Sequence, residues 1–266
     1  MLNIKNEINK NKQSMNYHFS SIASKYRSIR TLDLEPIWYI KNQMNGKTKI
    51  NMADVGCGDG RYSKEFLKYF GDKCFMHCID CNKNMLKSLE NYFTGQNITN
   101  FCTRQGDANR LPIDNDSLDY IFTFNAIHHF EVPKFLSESL RALKDDGHLF
   151  IYTRLWNQNS RSIWGTQFPL FAEIETCLYE FDELKYYIRE ADMEIHSTRV
   201  FGYHRTSSLS RLVTQAKNNH YSTLALYDKE TFQESLVTFQ QNIKDNFDDL
   251  EQIKWTDENI LIEIRK

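Results

Sequence analysis

Apolar positions in the first half of the chain switch repeatedly between two periods. KINMADV places Ile50, Met52 and Val55 in a short run that suits a buried strand. In RYSKEFLKYF, Tyr62, Phe66, Leu67 and Tyr69 or Phe70 fall at helical spacing. KCFMHCID then predicts a second strand ending at Asp80, and NKNMLKSLENYF a helix behind a polar cap. ITNFCTRQGDANRLP reads as a third strand running into a loop that carries Asp107. In DSLDYIFTFNAIHHF, Leu118, Tyr120, Phe122 and Phe124 alternate against Ile121 and Thr123, a fourth strand. KFLSESLRALKDDG predicts a helix ended by Gly147, and HLFIYTR a fifth strand. Strand–helix alternation of this kind is the signature of a doubly wound α/β sheet, in which ligands bind beyond the carboxyl ends of the strands. Gly56 to Gly60, Asp80, Asp107 and Asn125 to His129 all fall there.

The flanks are less regular. Residues 1 to about 15 are rich in Asn and Lys, and YHFSSIASKYRSIRTLDLEPIWYI then places Phe19, Ile22, Ala23 and Tyr26 on one helical face. Such a helix packs on a sheet edge or closes over a ligand as a flap. After Arg154 the alternation stops, and LWNQNSRSIWGTQFPLFAEIETCLYEF carries Trp156, Trp164 and several Phe without a clear period. FDELKYYIREADM predicts a helix and EIHSTRVFGYHR a strand. The stretch from Ser207 to Phe247 reads as two helices with a break near Asn218 to Ser222, and WTDENILIEIRK closes the chain as a strand.

The turn between the first strand and its helix carries the chemistry. DVGCGDG puts Gly56, Gly58 and Gly60 on alternate positions, where positive φ and the missing Cβ let a ligand lie against the backbone. A dinucleotide-binding loop has G-x-G-x-x-G, with a pyrophosphate on the helix N-terminus. Here the third glycine comes one residue early, and Asp54 stands two residues before the first. An acid there repels a pyrophosphate and can fix an ammonium group. S-adenosylmethionine offers an ammonium and no phosphate.

Composition narrows the class. The 266 residues are 41% hydrophobic and 26% charged, the balance of a soluble globular protein. A net charge of -2 gives no global electrostatic case for nucleic acid. The first residues lack the apolar segment of a secretory signal, and no stretch is long and apolar enough to span a membrane. Six cysteines in such a chain read as free thiols in a reducing, cytoplasmic compartment.

Taken together, DVGCGDG, IDCNKNML, GDANRLP, LDYIFTFNAIHHF and RALKDDGHLFIYT resemble, in order, the motifs of the class I S-adenosylmethionine-dependent methyltransferases, in particular the small-molecule group of the methyltransferase type 11 kind. The resemblance covers roughly Phe19 to Arg154. It implies a Rossmann-like, seven-stranded doubly wound sheet, the last strand antiparallel, with a helical cap from insertions. The implied organisation is an N-terminal flap over 1–30, a cofactor-binding core over 31–154, cap insertions at 155–180 and 206–252, and the rest of the core sheet at 181–205 and 253–266. It implies that Asp54, Gly56, Cys57 and Gly58 hold the methionine end of S-adenosyl-L-methionine, and Asp80 its ribose. Asn82 and Met85 would lie near ribose and adenine, Asp107 and Ala108 at the adenine, and Asn125 near the methionine moiety. Phe19, Ala23 and Tyr26 would close the pocket, although Arg27 stands where the family usually has Asp, and Arg30 would meet the cofactor carboxylate. The product would be S-adenosyl-L-homocysteine. The aromatic content of the cap and the place of Arg154 and Trp156 just after the fifth strand make Arg154, Trp156, Tyr203 and Tyr221 the candidate acceptor-side residues.

Other patterns compete. Cys74, Cys78 and Cys81 have the C-x3-C-x2-C spacing of radical S-adenosylmethionine enzymes, but two of them fall inside an apparent strand, so no iron–sulfur cluster is expected. His128 and His129 are candidates for a general base; adjacent histidines do not easily share a metal, and no ligand pattern completes a site. The aromatic residues of the cap suit an apolar lid or simply pack it. The function expected is methyl transfer to a small molecule, with an RNA or protein methyltransferase of the same fold as the alternative. The acceptor and the oligomeric state are not legible.

Overall fold

The computed structural model describes residues 31–44 and 49–266. The expected flap over 1–30, with Tyr26 and Arg30, lies outside them. Among the described residues the chain forms α1 (Glu35–Gln43), β1 (Ile50–Val55), α2 (Arg61–Phe70), β2 (Cys74–Asp80), α3 (Lys83–Thr94), β3 (Phe101–Gln105) and β4 (Leu118–Phe124). These are followed by α4 (Val132–Ala142), β5 (Leu143–Thr153), α5 (Trp156–Ser160), α6 (Ile163–Gln167), α7 (Phe171–Ile174) and α8 (Phe181–Glu190). The chain ends with β6 (Glu194–Ser207), α9 (Leu209–Lys217), α10 (Lys229–Asn246) and β7 (Ile253–Arg265).

The seven strands make one sheet in the order β3-β2-β1-β4-β5-β7-β6. β1 runs parallel to β2 and β4, β3 to β2 and β5 to β4, while β7 is antiparallel to β5. The order reverses between β1 and β4, which is where a doubly wound sheet opens its ligand crevice. No helix is long and apolar enough to cross a membrane among the described residues.

One correction concerns α4. It ends at Ala142, and residues 143–147 already belong to β5. Leu143 pairs with Leu118 in the parallel ladder, and the carbonyls of Leu143 and Gly147 accept from the side chain and backbone of Lys266. Sheet pairing thus outcompetes helix propensity over KDDG.

The chain divides into two compact units. The first comprises residues up to Thr153 with Phe181–Arg199 and Ile260–Lys266; the second comprises Arg154–Glu180 and Val200–Asn259. In the first, α2 and α3 pack on β2 and β3, and α8 packs on α4. Its core is aromatic: Phe66 stacks on Phe122 at 4.5 Å between ring centroids, and Tyr62 on Phe124 at 4.2 Å. The second unit has its own core of Ile163, Trp164, Phe168, Phe171, Leu212 and Phe239 with their neighbours. Trp164 lies flat on Phe239, 5.2 Å apart. The packing reading therefore applies to Trp164, Phe168 and Phe171, each at most 2% exposed. The break between α9 and α10 is wider than expected, from Asn218 to Asp228, and contains a single 3-10 turn, Ser222–Leu226.

Candidate functional site

The glycine turn is tightly enclosed. Gly56, Gly58 and Gly60 have φ of 74°, 55° and 77°, in the left-handed region that favours glycine. A Cβ on Gly56 would lie 2.6 Å from Ala126 Cβ and 3.0 Å from the Phe130 ring, so the turns after β1 and β4 are in contact. The turn is also tied to β2: the Gly56 and Cys57 amides both donate to the Ile79 carbonyl, at 2.8 and 3.1 Å.

Asp80 joins three pieces of chain. Its Oδ2 accepts from the Gly58 amide at 2.9 Å and its Oδ1 from the Asn82 amide at 2.8 Å. Burial raises its pKa, with these two amides opposing. Asn82 caps α3 through its side chain, which accepts from the Asn84 and Met85 amides, and Met85 is buried behind it. The Gly106 amide donates to the Asp80 carbonyl at 3.1 Å, bringing the Asp107–Ala108 loop to the same strand end. Asp107 is exposed and accepts from the Asn109 amide; Ala108 is buried.

Asp54 is 2% exposed at the end of β1. Its Oδ2 accepts from the Ser63 hydroxyl at 2.5 Å, while its Oδ1 is buried with no hydrogen-bond partner among the described residues. Burial raises its pKa to about 7, the Ser63 bond pulls the other way, and Asp80 adds to the rise. A buried carboxylate with one idle oxygen beside a glycine turn matches an ammonium ligand. The residues present therefore fit the amino-acid end and the ribose of S-adenosylmethionine. Cys57 is buried on the same turn, its thiol pKa pushed up by burial and by Cys78.

At the end of β4, Asn125 has φ of 52°, uncommon for a side-chain-bearing residue and frequent at functional sites. Its amide donates to the Tyr152 carbonyl at 2.7 Å and its Nδ2 to the Tyr62 hydroxyl at 3.4 Å. His128 and His129 follow on a 3-10 turn, half-buried, with ring centroids 3.9 Å apart. The described members of the expected cofactor set and both histidines thus share the carboxyl ends of β1, β2, β3 and β4. Ser63 was not anticipated: it lies nine residues from Asp54, across a turn whose path the sequence does not state.

The expected acceptor-side residues lie in the second unit. Arg154 faces Asp257 at 3.4 Å and Asn259 at 3.3 Å, with its guanidinium 5.5 Å from the Tyr221 ring centre. Arg205 meets the other Asp257 oxygen at 3.6 Å and covers Tyr203 at 4.7 Å. Trp156 is 39% exposed, its indole N–H donating to the Ala172 carbonyl at 3.3 Å. Nothing in the pattern of WTDENI pointed to Asp257.

Among the described residues no group of three or more His, Cys, Asp or Glu could hold a metal ion. Cys74 and Cys78 are buried on β2, and Cys81 is exposed just beyond it.

Residues 52–147 match the family model described as methyltransferase domain. The uncharacterized methyltransferase YcgJ of Bacillus subtilis is 28% identical over 135 residues, 50% of this chain and 52% of that protein. The chain spans about half the length of the curated relatives it matches, or less. A solved S-adenosylmethionine-dependent methyltransferase from Aquifex aeolicus has a TM-score of 0.54 at 20% identity, covering 71% of this chain and 93% of that one. Geranyl diphosphate C-methyltransferase from Streptomyces coelicolor, solved with geranyl diphosphate and S-adenosyl-L-homocysteine, has a TM-score of 0.56 at 14% identity, covering 87% and 78%.

Proposed function

We propose, for a chain that belongs to the class I S-adenosylmethionine-dependent methyltransferases, that it methylates a small-molecule acceptor. The observation that carries the reading is the idle Asp54 Oδ1 beside the glycine turn. S-adenosylmethionine, when bound, supplies an already activated methyl group on a sulfonium, open to in-line displacement.

The chain's own residues have three tasks. Asp54 and the turn from Gly56 to Gly58 orient the amino-acid end, and Asp80 takes the ribose hydroxyls. Asn82, Met85, Asp107 and Ala108 bound the nucleoside, and Asn125 the methionine side. Positioning and exclusion of water account for most of the acceleration, so a general base is required only where the acceptor keeps a proton. His128 or His129 is assigned that proton. Acceptor recognition is assigned to Arg154, Trp156, Tyr203 and Tyr221, and the compartment to the cytoplasm.

The small-acceptor reading draws support from the absence of a basic run between Asp33 and Arg265 and from a net charge of -2. A structural neighbour solved with geranyl diphosphate is consistent with it. The test is calorimetric titration with S-adenosylmethionine, then transfer of labelled methyl to metabolite pools and to bulk tRNA. Binding together with label in a small metabolite supports the proposal; label in tRNA alone overturns the acceptor class.

A further inference from the structure

Within the second unit, β6 from Val200 and β7 as far as Asn259 are hydrogen-bonded neighbours. Burial alternates along both, as it does where one face of a strand is covered. On β6, Tyr203 and Ser207 are buried and Arg205 is half-buried, while Gly202, His204 and Thr206 are exposed. On β7, Ile253, Asp257 and Asn259 are buried and Trp255 is half-buried, while Lys254 and Thr256 are exposed. Tyr203, Arg205, Trp255 and Asp257 therefore share the covered face.

The polar atoms on this face are not closed up. Asp257 is 5% exposed, and its Oδ1 has no hydrogen-bond partner among the described residues. Arg154 Nη2 stands 3.4 Å from that oxygen, and Arg205 Nε 3.6 Å from the other. Charged hydrogen bonds between a guanidinium and a carboxylate ordinarily close to about 2.7–2.9 Å. The Trp255 indole N–H is likewise buried with no acceptor among the described residues. Buried polar groups held for packing alone are normally hydrogen-bonded, so idle atoms of both kinds on one face point to a guest.

The surplus of donors gives the guest its charge. Two guanidiniums present about ten N–H donors, and one carboxylate has about four lone-pair positions. Asp257 alone uses up neither the donors nor the charge of the pair. The indole N–H adds a group that can only donate. Both guanidiniums are steadied by their own neighbours. Arg205 lies over the Tyr203 ring at 4.7 Å, and Arg154 lies 5.5 Å from the Tyr221 ring centre while its Nε donates to Asn259 Oδ1 at 3.3 Å. A cationic guest would gain Asp257 and be repelled by two guanidiniums.

We infer, on the small-acceptor reading above, that the acceptor carries an anionic oxygen group, a carboxylate or a phosphate, which Arg154, Arg205 and the Trp255 indole N–H receive on this face. Asp257 sets the strength of that site from the other side, as a like charge that keeps the two guanidiniums apart in its absence.

The test reads the Trp255 indole N–H by nuclear magnetic resonance of the intact chain labelled with 15N-tryptophan, its signal identified by loss in Trp255→Phe. Sodium phosphate and sodium acetate are titrated at ionic strength matched with sodium chloride, with choline chloride as the cationic probe. The Trp255 signal should shift saturably with phosphate or with acetate, and the tighter of the two names the group. Arg205→Met should weaken that binding at least about tenfold, the worth of one hydrogen bond to a charged group. Asp257→Asn should strengthen it about fivefold or more, because one like charge at ~4 Å is removed. A Trp255 signal that phosphate and acetate move no more than chloride does overturns the inference without any variant, as does one that shifts with choline alone. So does weaker anion binding in an Asp257→Asn protein whose melting curve shows it folded. Transfer of labelled methyl separates this failure from that of the small-acceptor reading. Label found only in metabolites that an anion exchanger does not retain overturns the anionic group and leaves a small acceptor standing; label in tRNA alone overturns both.

Discussion

The Gly58 amide donates to Asp80 Oδ2 at 2.9 Å, so the cofactor turn and the end of β2 are held as one piece. The other Asp80 oxygen anchors the start of α3 through the Asn82 amide. Asp80→Ala removes two charge-assisted bonds and the group assigned to the ribose. Hydrogen bonds to a charged group are worth about 1.5–3 kcal/mol each. Calorimetry should show affinity for S-adenosylmethionine reduced at least about tenfold, in a protein that still melts cooperatively. Wild-type protein that binds NAD and ignores S-adenosylmethionine would remove the basis of this expectation.

Asp54 makes the site pH-dependent. Its carboxyl has a pKa of about 7 in the fold, against an ordinary value of 3.8. The folded state therefore binds the extra proton between about pH 4 and pH 7, and stability falls as pH rises through that window. Above pH 7 the penalty is fully present, and Asp54→Asn relieves it. Chemical denaturation should show the variant gaining on wild type from pH 5 to pH 8. Calorimetry should show wild-type affinity for S-adenosylmethionine rising from pH 6 to pH 8, because an ammonium favours the carboxylate, and the variant should lose that rise. A stability difference independent of pH contradicts the assignment.

Two glycines with positive φ separate strain from crowding. A Cβ on Gly60 would lie 2.7 Å from Leu89 and 2.8 Å from Phe93, both buried residues of α3; on Gly71 it would meet nothing within 4 Å. Gly71, at φ 53° and ψ -135°, lies outside the left-handed helical well, and Gly71→Ala should cost about 1–3 kcal/mol for backbone strain alone. Gly60→Ala combines about 1–2 kcal/mol for its left-handed backbone with overpacking of roughly 1–3 kcal/mol. Denaturant midpoints of the two variants check the order.

Most of the fold was legible, and for physical reasons. The helical period in RYSKEFLKYF and the apolar run in INMADV place α2 and β1 at Arg61–Phe70 and Ile50–Val55, because α2 buries one face, β1 is buried along nearly its whole length, and a glycine turn lies between them. The doubly wound sheet followed from the order of such elements, and its seven strands with the last antiparallel from the motif resemblance. The end of α4 was not legible, since pairing of Leu143 with Leu118 depends on a strand 25 positions earlier. The glycines and carboxylates of the candidate site stand at local spacings, but the Ser63–Asp54 bond depends on the path of the turn between β1 and α2. The second unit was least legible: Trp164 and Phe239 stack although 75 residues apart, and neither α5, α6 nor α7 is long enough to show a period.

That second unit yields the last prediction, from two tryptophans eight residues apart. Trp164 is 1% exposed, stacked on Phe239 and ringed by Phe168, Phe171 and Tyr221. Trp156 is 39% exposed and spends its indole N–H on the Ala172 carbonyl. Truncating a buried aromatic typically costs about 3–5 kcal/mol, because the space it leaves is not refilled. Trp164→Ala should therefore unfold the second unit at a lower denaturant concentration, as a separate early transition in near-ultraviolet circular dichroism. Trp156→Ala should leave that transition nearly in place. Acceptor recognition assigned to Trp156 then predicts that this variant binds S-adenosylmethionine as wild type does while its transfer to the identified acceptor falls, chiefly through a raised KM. Deleting 206–252 outright is the poorer experiment, since Leu212, Leu224, Leu236, Phe239 and Ile243 of that segment cover Trp164 and Phe171 in the same core. A Trp156→Ala protein with unchanged KM and kcat would take Trp156 out of acceptor binding and leave Arg154, Tyr203 and Tyr221 to be tested in its place.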